Sequence, residues 1–491
     1  MTTCARICLA TDEATPGGSG SHARRTWWQA VLYGACAGGM AWGIRGQYGH
    51  ETGAMIAGLL LSSTLVLLFG RGLSGVDALR AVAWATIAMG FGGSMTYGQT
   101  VGLTHDAELV GNHQALGWGM LGLAIKGGLW IGFGGAFLGM GLGGKRYRAW
   151  ESLWLMLGLL GLCWIGIQAL NEPFNPNQRR LPLVYFSDDW RWEPGAVLKP
   201  RREVWGGMLA AWIGLLVYVR YARRDGLGLR LGLWGFLGGA LGFPLGQALQ
   251  SYHAWHLDFF RSGVWAGVDP LINWWNWMET TFGAIMGGVL GLGLWVNRHR
   301  IHPPEASNSR PLPAGLGWGL LMAHVSLLVG EQFFSVEWLN EFYDFGLVAG
   351  LIPIVAVAGD ARWSYWIIPV TVLPIAGKTL REMVYEQHAI APWLGWVVYL
   401  AIPVGMAVAL AVWLQRNGLQ DAPAARSLRP VLLAGTWLFF GLNYAFFRFP
   451  WPWHEWTART PNSLAFTACA LALSWLVFRS GRGGFRKSLS C

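Results

Sequence analysis

The sequence predicts an all-α fold, a polytopic transmembrane helical bundle of about 14 spans built from repeated αα-hairpins. Three observations predict it. Only 13% of the 491 residues are charged and 53% are hydrophobic, with Gly (70) and Trp (32) far above ordinary usage. Apolar runs of about 20 residues, enough to cross the hydrocarbon core, recur from residue 27 to residue 479. Basic and acidic residues also favour opposite sets of connecting segments, as membrane insertion imposes.

Residues 1–25 are polar, Gly/Ser-rich and end in Arg24-Arg25. They lack the apolar core of a signal peptide and read as a disordered cytoplasmic tail. Residues 26–480 read as a single transmembrane domain, and 481–491 as a second cytoplasmic tail. The expected spans are 27–46, 51–70, 79–99, 115–143, 150–170, 203–221, 229–250, 278–297, 313–332, 345–359, 363–377, 392–414, 429–447 and 462–479. The fourth is long and has to tilt or kink. The tenth and eleventh are short, and a re-entrant hairpin is the alternative there.

Charge then orients the bundle. The even loops and both tails hold 23 of the 36 Lys and Arg, the odd loops hold 12, and Lys126 lies inside the fourth span. Acidic residues run the other way, 18 in the odd loops against 8. Positive charge resists translocation, so both termini are expected in the cytoplasm of a bacterial-type inner or plasma membrane. The long loop 171–203, which holds half of the 12, is the exception. The net charge of +10 is thus a topology signal, and no nucleic-acid partner is expected. Membrane lipids are the partners the composition implies.

The stretch Gly38–Ala54, GGMAWGIRGQYGHETGA, sets a pattern: an apolar helix, a Gly-Gln corner, and a new helix opened by Glu-Thr. Gly246-Gln247 followed by Glu279-Thr280 repeats it. Gly98-Gln99, Gly166-Ile-Gln168, Gly330-Glu331-Gln332, Gly377-Lys378 and Gly441-Leu-Asn443 fall at matching span ends. Two arrangements follow. One is seven hairpins around an axis. The other is a 6+6+2 parallel repeat with halves at 27–221 and 229–414 and an extra hairpin at 429–479. A Gly at a helix end is also a plain C-cap. Gly34, Gly38, Gly127, Gly128, Gly134, Gly135, Gly287 and Gly288 are placed for close helix contact.

The six cysteines suggest no structural disulfide, since none lies in a segment placed outside. Cys4 and Cys8 are a weak metal signal, and no tight H-x3-H pair appears elsewhere. No metal site is assigned, and no cofactor is implied.

Polar chemistry concentrates in the odd, outer loops. His50 with Glu51, and His105 with Asp106, are candidate general acid–base pairs. Lys126 joins them because an ammonium in mid-span is costly, ~2.5–3.5 kcal/mol on insertion scales, and needs a cavity or a partner. Glu51 and Glu279 are the expected partners, although each also suits a helix N-terminus. The candidate binding residues are Arg45, Gln47, Gln99, Asn112, His113, Gln247, His253, Trp274, Trp275, Glu279, Glu331 and Gln332. Asp188-Asp189 sit among Tyr185, Phe186, Trp190 and Trp192 in the long loop. Interfacial Trp often only anchors. Flat aromatic faces beside amides and carboxylates are also what a sugar ring needs.

The cytoplasmic halves of the spans are almost free of polar side chains, and no nucleotide-binding motif is present. The chain is therefore expected to bind or process, by group transfer or hydrolysis, a glycan or lipid-linked polar substrate at an outward-facing site. A secondary transporter of a small polar solute is the first alternative, and a membrane scaffold or assembly subunit the second.

Overall fold

The computed structural model describes residues 26–187, 201–305, 311–334, 338, 346–417, 422–447 and 456–485, without the side chains at 332–333, 346–348 and 481–485. Asp188, Asp189, Trp190 and Trp192, both tails, and Cys4 and Cys8 therefore lie outside the described residues.

The helices are α1 (Trp27–Arg45), α2 (Glu51–Phe69), α3 (Gly75–Gly92), α4 (Gly98–His105), α5 (His113–Leu142), α6 (Ala149–Gly166), α7 (Trp205–Val217) and α8 (Gly226–Trp255). Two short turns, α9 (Leu257–Phe260) and α10 (Trp265–Val268), precede α11 (Trp274–Val296). Then come α12 (Ala314–Phe334), α13 (Gly346–Gly359), α14 (Ile367–Leu380), α15 (Pro392–Gly395), α16 (Ile402–Arg416), α17 (Ala424–Phe446) and α18 (Thr460–Phe485). Among the described residues no strand forms, only isolated bridges. Eight helical stretches there are long and apolar enough to cross a membrane.

Burial sorts these stretches. The apolar windows of α2 and α5 are 94% and 83% buried, whereas those of α6, α12 and 392–416 are 28%, 17% and 22% buried. Helices that are apolar all round thus occur both in the centre, covered by other helices, and at the rim, left for lipid.

Glycine builds the centre. A methyl group on Gly38 would fall 2.2 Å from the Gly283 carbonyl oxygen, and one on Gly34 would fall 2.3 Å from that of Gly287. This seam joins α1 to α11. A second seam joins α5 to α8, where Gly127 meets Gly239 and Gly135 meets the Leu231 carbonyl. Lipid tails give helices no hydrophobic reason to associate, so close backbone approach supplies the attraction.

The turns collect at two ends. At one, Ala424 N donates to the Leu73 carbonyl (3.1 Å), Glu305 N to Gly144 (2.8 Å), and Tyr147 OH to Asp225 Oδ2 (2.9 Å). Arg71, Lys145, Arg146, Arg148, Arg223 and Arg224 cluster in these turns, so this is the basic end. At the other, Asn273 N donates to the Ala458 carbonyl (2.8 Å), and the Tyr48 and Thr379 hydroxyls pair at 3.1 Å.

Several expected boundaries move. The third span ends at Gly92, so Gly98-Gln99 opens α4 rather than closing a span. The 99–114 segment is less solvated than its composition implies, because Thr100, Val101, Leu103 and Thr104 of α4 are fully buried. Gly246-Gln247 lies inside α8, which runs on to Trp255, and Gly330-Glu331, Gly377-Lys378 and Gly441-Leu-Asn443 also lie within helices. Only Gly46-Gln47 directly follows a helix end among these pairs.

Candidate functional site

Arg45 is the last residue of α1 and is only 1% exposed. The chain turns at Gly46-Gln47, so the guanidinium points into the bundle. Its Nη1 donates to Tyr97 OH (2.7 Å) and Glu279 Oε1 (3.1 Å), and its Nη2 to His50 Nδ1 (2.9 Å). Tyr97 OH donates in turn to Glu279 Oε1 (3.1 Å). The ring centroids of Trp42, Tyr97 and Trp130 stand 5.0–5.2 Å from the guanidinium carbon. A desolvated cation over aromatic faces gains ~2 kcal/mol or more. Five parts of the fold meet here: α1, the turn after it, the segment before α4, α5 and α11. The α1–α11 seam brings them together, since a side chain at position 46 would collide with Glu279.

The cluster fixes a tautomer. A guanidinium only donates, so His50 Nδ1 is the acceptor and neutral His50 carries its proton on Nε2. Burial, and then the charges of Arg45 and Lys378, push the half-buried His50 down to about 3. His50 is therefore a hydrogen-bond donor here and not a free base. Glu279 Oε2 and Arg45 Nε are buried without a hydrogen bond among the described residues. Buried polar atoms of this kind are rare in native proteins.

An open cavity of about 530 Å³ adjoins the cluster, lined by Gly46, Gln47, Lys378, Glu382, Gln387 and Phe447 among others. Arg381 pairs with Glu386 (3.0 Å), and Gln387 donates to Glu382 (2.7 Å). Lys378 has no carboxylate within 4 Å among the described residues. Arg459 lies over the Phe447 ring at 3.8 Å.

Lys126 is 1% exposed and all three of its donors are used. Nζ meets Glu203 Oε1 (2.5 Å), Thr100 Oγ1 (2.7 Å) and the Thr96 carbonyl (2.8 Å). Glu203 also accepts from Phe186 N (2.8 Å) and Ser187 Oγ (3.1 Å). The partner is thus Glu203, not Glu51 or Glu279, which belong to the first turn of α2 and to the Arg45 cluster.

The other expected residues are dispersed. Gln247 is fully buried and donates to Thr104 Oγ1 (2.8 Å), away from Gln47. Gln99 lies half-buried in the first turn of α4. Asn112 caps α5, accepting from Gln114 N and Ala115 N (3.1 and 3.0 Å). His113 packs on Trp255, ring centroids 5.0 Å apart. His253 stacks on Trp274 at 4.7 Å, and Asp269 Oδ1 sits 2.8 Å from His253 Nε2 and 2.7 Å from Trp274 Nε1. Trp275 stacks on Tyr97 with centroids 6.5 Å apart and links the cluster to His105, 6.2 Å away. His105 Nδ1 donates to the Val101 carbonyl (3.0 Å), 3.5 Å from Asp106 Oδ1, which leaves Nε2 as the lone-pair nitrogen. Burial holds the Asp106 carboxyl above its ordinary value. Glu331 belongs to α12, which packs on α13 and α14, and the Gln332 side chain lies outside the described residues.

Tyr97, Trp42, Trp130 and Glu203 are the site residues that sequence reasoning passes over. Tyr97 directly precedes the Gly98-Gln99 corner, and that adjacency was the available signal. Burial also separates Trp42 and Trp130 (1% and 0% exposed) from exposed tryptophans such as Trp150 (72%). Among the described residues no three His, Cys, Asp or Glu side chains converge as a metal site. No protein-family model, curated protein or solved structure matches this chain.

Proposed function

We infer that the chain is an inner- or plasma-membrane protein whose outward-facing end binds, and in one reading processes, the polar part of a glycan or lipid-linked substrate. The observation that carries this is the join between the open cavity and the buried cluster. Gly46 and Gln47 line the cavity, Glu279 Oε2 stands against Gly46, and Arg45 joins Glu279 to His50. The cavity offers amides, carboxylates and an ammonium, which suits the hydroxyls of a sugar. Lys378, with no carboxylate within 4 Å among the described residues, favours a substrate with an anionic portion such as a phosphate.

Binding is better supported than a reaction at Arg45 itself, because His50 has no lone pair left there. His105 is the candidate base, with Nδ1–H held by a carbonyl and Nε2 free to accept. Behind Arg45 the fold continues as Trp42, Trp130 and Phe282 rather than a polar route. That arrangement favours a one-sided site over a transport path.

The orientation and span count belong to the same reading. A helix occupies each of the fourteen expected segments, and turns contact turns of their own end. Both observations support fourteen crossings, and the placement of both termini in the cytoplasm rests on the charge asymmetry of the sequence. The repeated hairpin rests on the sequence pattern alone.

The test is native mass spectrometry of protein released from host membranes, wild type against Lys378→Ala. A polar lipid or lipid-linked sugar bound to the wild type and lost in the variant supports the reading. Identical spectra with no bound species, alongside solute uptake by proteoliposomes, would replace it with the transporter.

A further inference from the structure

The basic end holds a cavity larger than the one beside Arg45, about 830 Å³. It is walled by the starts of α3 and α6, by the turn before α12 and by the turn after α13. Four arginines line it: Arg80, Arg146, Arg148 and Arg362. Three carboxylates line it too, but each is engaged. Asp360 binds Arg362 through Nε (2.8 Å) and Nη2 (2.5 Å). Glu151 binds Arg223 (2.9 Å), which is not part of the wall. Asp77 accepts from Ser74 Oγ (2.7 Å) and stands 3.7 Å from Arg80 Nη2.

An excess of positive charge is left. Arg146 and Arg148 have no carboxylate within 4 Å among the described residues. Arg80 is 4% exposed, and Asp77 lies beyond hydrogen-bond distance from it. A buried guanidinium with open donors beside two unpaired ones is a setting for a multivalent oxyanion. The first turns of α3 and α6 add their positive ends. The opposite wall is apolar, with Pro311, Leu312, Pro313 and Leu316, and Trp150 stands 72% exposed at the rim. A free phosphate would leave most of this volume unfilled.

We propose that this cavity is a binding site for a phosphate-bearing anion, held by Arg80, Arg146 and Arg148, with the apolar wall receiving the chain of an anionic phospholipid. The site is independent of the one at Arg45 and stands at the other end of the bundle. Basic pockets between membrane helices recognise lipid headgroups by this chemistry.

The test uses the full chain, wild type and Arg146→Ala/Arg148→Ala, in two arms. In one arm, nanodiscs of phosphatidylglycerol or of phosphatidylcholine are compared by the lipid retained on the released protein. In the other, inorganic phosphate alone is titrated against the protein in detergent. Arg146 and Arg148 are half-buried and exposed, so the variant should keep the unliganded melting temperature of the wild type. Arg146→Lys/Arg148→Lys, which keeps the charge, guards against misfolding. The expected result is retention of phosphatidylglycerol over phosphatidylcholine by the wild type. It should weaken about tenfold or more in the alanine variant and partly return with lysine. Binding of inorganic phosphate alone, equally sensitive to the arginines, keeps the anion site and assigns it to a soluble phosphate. Equal retention by wild type and alanine variant in both arms overturns the proposal.

Discussion

The Glu279 carboxylate occupies the space that a side chain on residue 46 would fill: a β-carbon built on Gly46 falls 1.7 Å from Glu279 Oε2. Gly46 itself has an ordinary right-handed backbone, φ −49°, so conformation does not require glycine there. The carboxylate does. Gly46→Ala should therefore expel Glu279 and leave the Arg45 guanidinium buried without its counter-charge. Removing one member of a buried pair typically costs about 3–5 kcal/mol. Thermal unfolding in detergent should show a loss of that order for Gly46→Ala and for Glu279→Gln. The double variant Gly46→Ala/Glu279→Asp, one methylene shorter, should recover part of it. Gly46→Ala at wild-type stability would mean that the carboxylate has another place to go.

Much of the architecture was legible because composition carries it. Glycines such as Gly38 and Gly287 stood out in apolar runs, and they form the α1–α11 seam. Lys126 stood out because a mid-span charge needs a partner. The partners themselves were not legible. Glu279 is 234 positions from Arg45, and Glu203 is 77 from Lys126 at the end of a loop with many charges. No local period relates such residues, and only the packed helices bring them together. Helix ends were misplaced for a related reason. A polar residue such as Gln247 looks like an exit from the membrane, yet it turns inward to Thr104 and α8 continues.

The separation of turns into two ends makes a labelling experiment decisive for orientation. Glu108 and Ser262 are exposed at the Arg45 end, and Arg71 and His302 at the basic end. In a background free of native cysteines, Glu108→Cys and Ser262→Cys should react with an impermeant maleimide on intact cells. Arg71→Cys and His302→Cys should react only after permeabilisation. The opposite pattern would place the Arg45 cavity in the cytosol and remove the basis for an extracytoplasmic substrate.

Acid should weaken the fold through His50, which lies in the turn between α1 and α2. Its ordinary value is 6.5, and burial with Arg45 and Lys378 brings it to about 3. Between these values the unfolded chain takes up a proton that the native chain refuses. The contribution of His50 is thus intact above pH 6.5 and is lost as pH falls toward 3, by at most ~1.4 kcal/mol per pH unit. His50→Asn keeps an acceptor for Arg45 Nη2 but does not titrate. Melting temperatures of wild type and variant should run together at pH 7–8 and diverge below pH 6.5, with the wild type falling faster. Parallel curves down to pH 4 would show that His50 protonates as readily in the fold as outside it.

Lys126 and Glu203 tie three segments at the Arg45 end to the bundle: the stretch before α4, α4 itself, and the loop that leads into α7. Every donor of the ammonium has an acceptor, and both carboxylate oxygens accept bonds. That saturation leaves no hand for a ligand in this conformation, so the pair should act by holding these segments in place. Lys126→Met removes the charge, keeps most of the volume, and leaves Glu203 buried with no counter-charge. The expected loss is about 3–5 kcal/mol of stability. Lys126→Met/Glu203→Gln removes both charges; the amide oxygen still accepts from Phe186 N, and Nε2 donates to Ser187 Oγ, whose hydroxyl also accepts. Buried pairs replaced by neutral groups of similar size often lose little. The double variant should therefore regain most of the stability, a positive coupling in a double-mutant cycle. It should also retain the species bound beside Lys378 in the mass spectrometry experiment. If the double variant is stable but has lost that species, the ammonium takes part in binding itself, in a conformation where Glu203 has released it.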